Sequence, residues 1–166
     1  SVGEGKTAQI QQIVETLKDQ NISTCRILSP RIVEDGDTRG YDLVDINTNE
    51  RVAFLRKSGD KKLPQIGSYS ILPEAIQKGH EALENSQNNH QVVVIDEVGR
   101  LELNNEGWAE HIRDLLSSSK SHLILSVLER FIEEVIDKWS LQDCTVLDVS
   151  DRDPVANSRI IAKQIN

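Results

Sequence analysis

Ser1-Val2-Gly3-Glu4-Gly5-Lys6-Thr7 is the stretch on which the fold of this 166-residue chain turns. It fits the pattern G-x-x-x-x-G-K-[ST] with the first glycine falling one position before Ser1. In that pattern glycines let consecutive backbone N–H groups turn inward around phosphates, the lysine reaches the β- and γ-phosphates, and the hydroxyl ligates Mg²⁺. Gly3, Gly5, Lys6 and Thr7 occupy those positions, with Ser1, Val2 and Glu4 supplying the remaining loop backbone. A helix is expected to leave the loop, its N-terminal dipole adding attraction for an anion. Ile10, Ile13, Val14 and Leu17 recur at i, i+3, i+4 and i+7, one apolar face of that helix. A glycine-rich surface turn before an amphipathic helix reads the same way until a second half of the site is found.

Elsewhere short apolar runs alternate with helical patterns, as in a parallel sheet covered by helices on both faces. The runs are Cys25–Leu28, Val92–Ile95, Leu123–Leu125 and Thr145–Leu147. Between them lie helical faces carrying Ala75, Ile76, Gly79, Ala82 and Leu83; Trp108, Ile112, Leu115 and Leu116; and Leu128, Phe131, Ile132, Val135, Ile136 and Trp139. Asp153-Pro154 is an N-cap followed by proline at the first helical position, opening a last helix with Val155, Ile160 and Ile161. Tyr41 to Leu55 breaks the alternation and predicts a β-hairpin around Asn47-Thr48-Asn49-Glu50. Ser58 to Lys62 reads as a polar surface loop, with an active-site flap as the alternative. The expected architecture is a three-layer α/β domain spanning residues 1–166, mainly parallel, with an inserted hairpin. The chain has no methionine, and a strand of about six residues, with the loop's first glycine, is expected before Ser1.

Bulk composition narrows the partners. A formal net charge of −8 argues against nucleic acid, because phosphate-backbone contacts need Lys and Arg. No apolar run approaches the roughly 18 residues of a membrane span, and no signal peptide is visible. Cys25 and Cys144 read as buried free thiols of a reducing cytoplasm. His80, His90, His111 and His122 lack metal-ligand spacing and read as surface or helix-end residues.

The second half of the site is Val92-Val93-Val94-Ile95-Asp96-Glu97. A buried strand ending in two carboxylates sets them at the carboxyl edge of the sheet, where open α/β folds bind ligands. In a phosphate-loop site the aspartate holds magnesium, usually through water, and the adjacent glutamate can orient and deprotonate a water. Metal contacts are therefore assigned to Thr7 and Asp96, nucleotide contacts to Ser1 through Thr7 with Asp96, Glu97 and Gly99, and catalysis to Glu97, Lys6 and Arg100. Arg100 is the second cation beside the sheet edge. Arg130 could reach a γ-phosphate, or could pair with Glu133 or Glu134 at a helix start.

The run Val94-Ile95-Asp96-Glu97-Val98-Gly99-Arg100-Leu101-Glu102-Leu103 resembles the V-I-D-E-[IV]-G-[KR]-M-E-L signature of the small P-loop NTPases called the cancer-related nucleoside triphosphatase family. Gly36, Gly40, Tyr41 and Asp42 resemble its G-x-x-x-G-F-D segment, and Ile66-Gly67-Ser68-Tyr69 its V-G-x-Y. The resemblance implies a RecA-like α/β domain that hydrolyses several nucleoside triphosphates to diphosphate and phosphate with Mg²⁺. Three positions depart from it. Ser29-Pro30-Arg31-Ile32-Val33 stands where T-x-E-V-R is usual, Ala8 replaces a threonine, and Leu101 replaces methionine. Two rival readings remain: a P-loop kinase or group transferase, which needs an acceptor pocket, and a nucleotide-binding module serving a partner protein.

Overall fold

The computed structural model describes residues 4–57, 60–86, 89–118, 120–149 and 153–165. Ser1 to Gly3, Ser58 and Gly59 lie outside them. Helix α1 (Glu4–Asp19) leads into β1 (Thr24–Leu28), followed by β2 (Arg31–Glu34), β3 (Asp37–Asp45), β4 (Glu50–Arg56), β5 (Gln65–Ile66) and β6 (Tyr69–Ile71). Helix α2 (Pro73–Ser86) precedes β7 (Val92–Val98), short α3 (Arg100–Leu103), α4 (Ala109–Ser118), β8 (His122–Val127), α5 (Ile132–Trp139) and α6 (Pro154–Ile165).

β7 organises the packing. Its residues alternate between two cores, since successive strand side chains point to opposite faces. Val93 and Ile95 join Leu83, Trp108, Ile112 and Val135 on the side of α2, α4 and α5. Val92 and Val94 join Ile10, Val14, Leu17 and Ala162 on the side of α1 and α6. All four strand residues are fully buried, each contributing about 1.5–3 kcal/mol of transfer free energy. That is why the run is uniformly apolar instead of alternating with polar residues. β1, β7 and β8 pair in parallel. The expected hairpin is present as β3 and β4, with Asp45 opposite Glu50. It belongs to a larger antiparallel block, β2 through β6, joined to the parallel part where β3 pairs with β1.

Local chemistry explains the element ends. α1 stops at Asn21, which adopts φ 59°, a left-handed conformation Asn tolerates. The Ile22 N–H then donates to the Leu17 carbonyl at 3.0 Å, and both side chains are buried. Asp153 caps α6 as expected, its Oδ1 accepting the Ala156 N–H at 2.8 Å. Helix α2 approaches Trp108 so closely that a Cβ on Gly79 would lie 2.2 Å from the indole ring.

Several sequence expectations are corrected. Thr145 to Leu147 is not a strand: it has no strand beside it among the described residues, and Val146 is 55% exposed. Cys144 is exposed for the same reason, while Cys25 is buried as expected. Leu116 and Val155 face solvent. His111 is no surface residue: it packs against Trp108's neighbour His80, the two rings hydrogen-bonded at 2.6 Å. Burial lowers its pKa and favours the neutral ring.

Candidate active site

The two motifs meet. The Thr7 hydroxyl on the first turns of α1 donates to Asp96 Oδ2 at the end of β7, at 3.3 Å across 89 residues of sequence. The Asp96 carboxylate is buried, and it also accepts the Ser29 N–H at 3.4 Å and the Ser126 hydroxyl from β8. A buried carboxylate needs such partners, because desolvation without compensation is costly. Lys6 Nζ lies 3.1 Å from Glu97 Oε1. The two charges pair without hydrogen-bond alignment, so the buried ammonium has no satisfied donor among the described residues.

Glu97 is aimed by a device invisible in the motif. Its φ is 60°, in the left-handed region where a bulky residue is strained, and the pairing of β7 with β8 slips between Ile95 and Val98. This bulge turns Glu97 out of the strand's alternation. The Glu97 N–H donates to the Ser126 hydroxyl at 2.8 Å, so one hydroxyl anchors both acids. Ser126 escaped the sequence reading. Its only signal is a polar residue interrupting Leu123-Ile124-Leu125-Ser126-Val127.

Gly99 has φ −166°, extended backbone open to any residue. Its N–H donates to Glu102 Oε2 at 2.9 Å, and the Trp108 N–H reaches Glu102 Oε1 at 3.4 Å. Burial pushes the Glu102 carboxyl up to about 7 against these hydrogen bonds. Glu102 thus holds the turn that follows the two acids. Arg100 begins α3 and is exposed beside them. Glu4 and Gly5 lie in the first turn of α1.

A cavity of about 680 Å³ opens at this point, lined by Thr7, Ala8 and Gln11 of α1, by Glu97, and by Arg31, Tyr41 and Arg130. Tyr41 is held in its wall by its neighbour: Asp42 is clamped by Arg51, at 2.6 Å, and by Arg56. Burial raises the Asp42 carboxyl, but the two guanidiniums outweigh it and leave the pKa below the ordinary carboxylate value. The G-x-x-x-G-F-D-like segment is therefore a structural clamp that positions an aromatic ring. Arg31, in the departed block, lines the same cavity. Arg130 lies over the Phe131 ring, 4.8 Å from its centroid.

Comparison with known proteins identifies the family to which this α/β architecture belongs. A family model described as NTPase matches residues 1–161. The chain belongs to the NTPase family. Among its relatives is the nucleoside-triphosphatase THEP1 of Methanocaldococcus jannaschii, 26% identical over 145 residues, which is 87% of this chain and 84% of that one. The THEP1 of Methanosarcina barkeri is 28% identical over 154 residues, 90% of this chain and 84% of that one. The crystal structure of THEP1 from Aquifex aeolicus superposes with a TM-score of 0.66 at 14% identity, over 100% of this chain and 95% of that chain, a likeness of fold. Membership in the NTPase family thus accounts for the α/β architecture with helices on both faces of the sheet. No helix among the described residues is long and apolar enough to cross a membrane.

Proposed function

We propose that this NTPase family member hydrolyses the γ-phosphate of several nucleoside triphosphates, ATP and GTP included, in a Mg²⁺-dependent reaction run by residues 1–166 as one domain. The observation that carries the reading is the buried Lys6 ammonium paired imperfectly with Glu97, a residue that lines the cavity of about 680 Å³. The triphosphate lies along the loop of residues 1–7, its terminal phosphate replacing Glu97 as the partner of Lys6. That exchange is favourable because a phosphate offers several charged acceptors to an ammonium already desolvated. It also frees the Glu97 carboxylate.

The donor set fits magnesium: a hydroxyl and a carboxylate, both hard oxygen ligands, lie 3.3 Å apart on Thr7 and Asp96. Bound there, Mg²⁺ would neutralise charge developing on the phosphates. Glu97 accepts a proton from water as the water oxygen bonds to the γ-phosphorus, and the bond to the bridging oxygen breaks to release the diphosphate. Lys6 stabilises charge on the transferred group, with Arg100 and the Gly99 turn beside it. Ser126 keeps Glu97 in its strained orientation during the transfer.

The experiment is phosphate release by Glu97→Gln, which keeps shape but removes basicity. The variant binds Mg·ATP like the parent and turns over about 10² to 10⁴ times more slowly, the usual general-base contribution. Equal turnover in the two proteins makes Glu97 structural and favours a nucleotide-binding module instead.

A further inference from the structure

A second cavity of about 330 Å³ adjoins the first and shares Ser29, Tyr41, Glu97 and Arg130 with it as walls. Among the described residues none of α1 lines it, so it is not where the phosphate-loop helix would hold the nucleotide. Its remaining walls come from the antiparallel block, the end of β7, the turns after β7 and β8 and the segment before α4, among them Phe54, Tyr69, Arg100, Trp108 and Phe131. The chain has two Trp, two Tyr and two Phe, and of these only Trp139 is absent from this lining. Phe54 and Trp108 are buried in the core behind this wall, so the accessible aromatic surface comes from Tyr41, Tyr69 and Phe131, which line the cavity together with Glu97. Water needs no such surface. A planar ring does, because aromatic faces stack on it with little regard to sequence or substituent.

We propose that this cavity is an acceptor compartment for a nucleoside, whose sugar hydroxyl competes with water for the γ-phosphoryl group. The inference rests on the hydrolase reading of the first cavity. Three observations carry it. Ligand pockets run from about 300 to 1,000 Å³, so this one suits a single heterocycle and sugar, not a larger ligand. Tyr41 and Tyr69, half-buried, both line the cavity and stand edge to face, their centroids 5.8 Å apart. Glu97 lies in the partition, so one carboxylate serves either oxygen nucleophile. In the transfer the nucleoside hydroxyl oxygen bonds to the γ-phosphorus, its proton passes to Glu97, and the nucleoside diphosphate leaves with the electrons of the broken bridging bond. Arg130, shared by both cavities, lies beside the path of the moving group.

The test follows the label of γ-labelled Mg·ATP with adenosine, guanosine, cytidine or uridine added, and with glycerol as a hydroxyl lacking a ring. At least one nucleoside is expected to take label about tenfold better than glycerol at equal concentration, the scale of discrimination that one stacked ring supplies. Tyr69→Ala should lower the ratio of nucleoside phosphate to free phosphate about tenfold, again the worth of one stacking partner. Ser68→Trp, which fills the compartment from its rim, should lower it too. Because the ratio is read within one sample, partial unfolding does not imitate the effect. Label appearing only in free phosphate with all four nucleosides, equal transfer to glycerol, or an unchanged ratio in both variants overturns the acceptor compartment. No release of label at all overturns the hydrolase reading beneath it.

Discussion

Ser126→Ala removes one hydroxyl and two hydrogen bonds, and its consequences can be worked from the geometry. The Glu97 N–H, 2.8 Å from Ser126 Oγ, loses its acceptor while φ stays forced to 60°. The buried Asp96 carboxylate loses its nearest donor and keeps only longer contacts to Thr7 and Ser29, at 3.3 and 3.4 Å. A neutral hydrogen bond contributes about 0.5–1.5 kcal/mol and one to a charged group about 1.5–3, so stability should fall by about 2 to 4 kcal/mol. For a domain of this size that is a drop of roughly 5 to 15 °C in Tm, measured by calorimetry. Glu97 also loses its aim, and misplacement of about 1 Å can cost up to about 10² in rate. The expected kcat, from phosphate release at a temperature where both proteins are folded, is about 10- to 100-fold lower. Ser126→Thr keeps the hydroxyl and should recover most of it. A Ser126→Ala protein with Tm within about 2 °C of the parent and unchanged kcat refutes the idea that this hydroxyl anchors the two acids.

Lys6→Ala should leave the circular dichroism spectrum intact and abolish tight Mg·ATP binding by titration calorimetry; unchanged affinity would remove Lys6 from the phosphate site. Glu102 has its carboxyl raised by burial from 4.5 to about 7, so the folded state holds a proton that the unfolded state has already lost. Its stabilisation is complete below about pH 4.5 and is lost as pH rises through about 7, a swing of about 3 kcal/mol. Tm of the parent relative to Glu102→Gln should therefore fall between about pH 5 and 8, and parallel pH profiles would contradict this. Gly40→Ala would place a Cβ 2.1 Å from the Leu55 carbonyl oxygen on the paired strand. That atom is backbone and cannot swing aside, so a loss of at least about 1 to 3 kcal/mol is expected in denaturant titration; wild-type stability would mean that β3 and β4 can separate there.

How far the chain could be read depended on the range of the interactions. The helix after the loop, the β7 strand and the capped last helix are written in short periods, because each buries a face whose spacing is set within a few residues. The loop lysine and hydroxyl and the Asp-Glu pair were legible as chemistry, since phosphate and magnesium demand those residue types in that order. Thr145 to Leu147 has strand composition, yet a strand forms only against a neighbour, and none lies beside it among the described residues. His111 looked like a surface residue until α4 packed against α2. The aim of Glu97 depends on Ser126, 29 residues away, and on a slipped register that no local pattern announces. The aromatic cavity is assembled from β3, β4, β6, the turns after β7 and β8 and the segment before α4. Residue types and periodicity are local, so the sequence by itself determined the amphipathic helices, the buried β7 strand and the residue types that a phosphate site would use. Contacts between residues dozens of positions apart exist only once the sheet has closed, and so the tertiary structure alone decided where the Glu97 carboxylate points and what stands across from it.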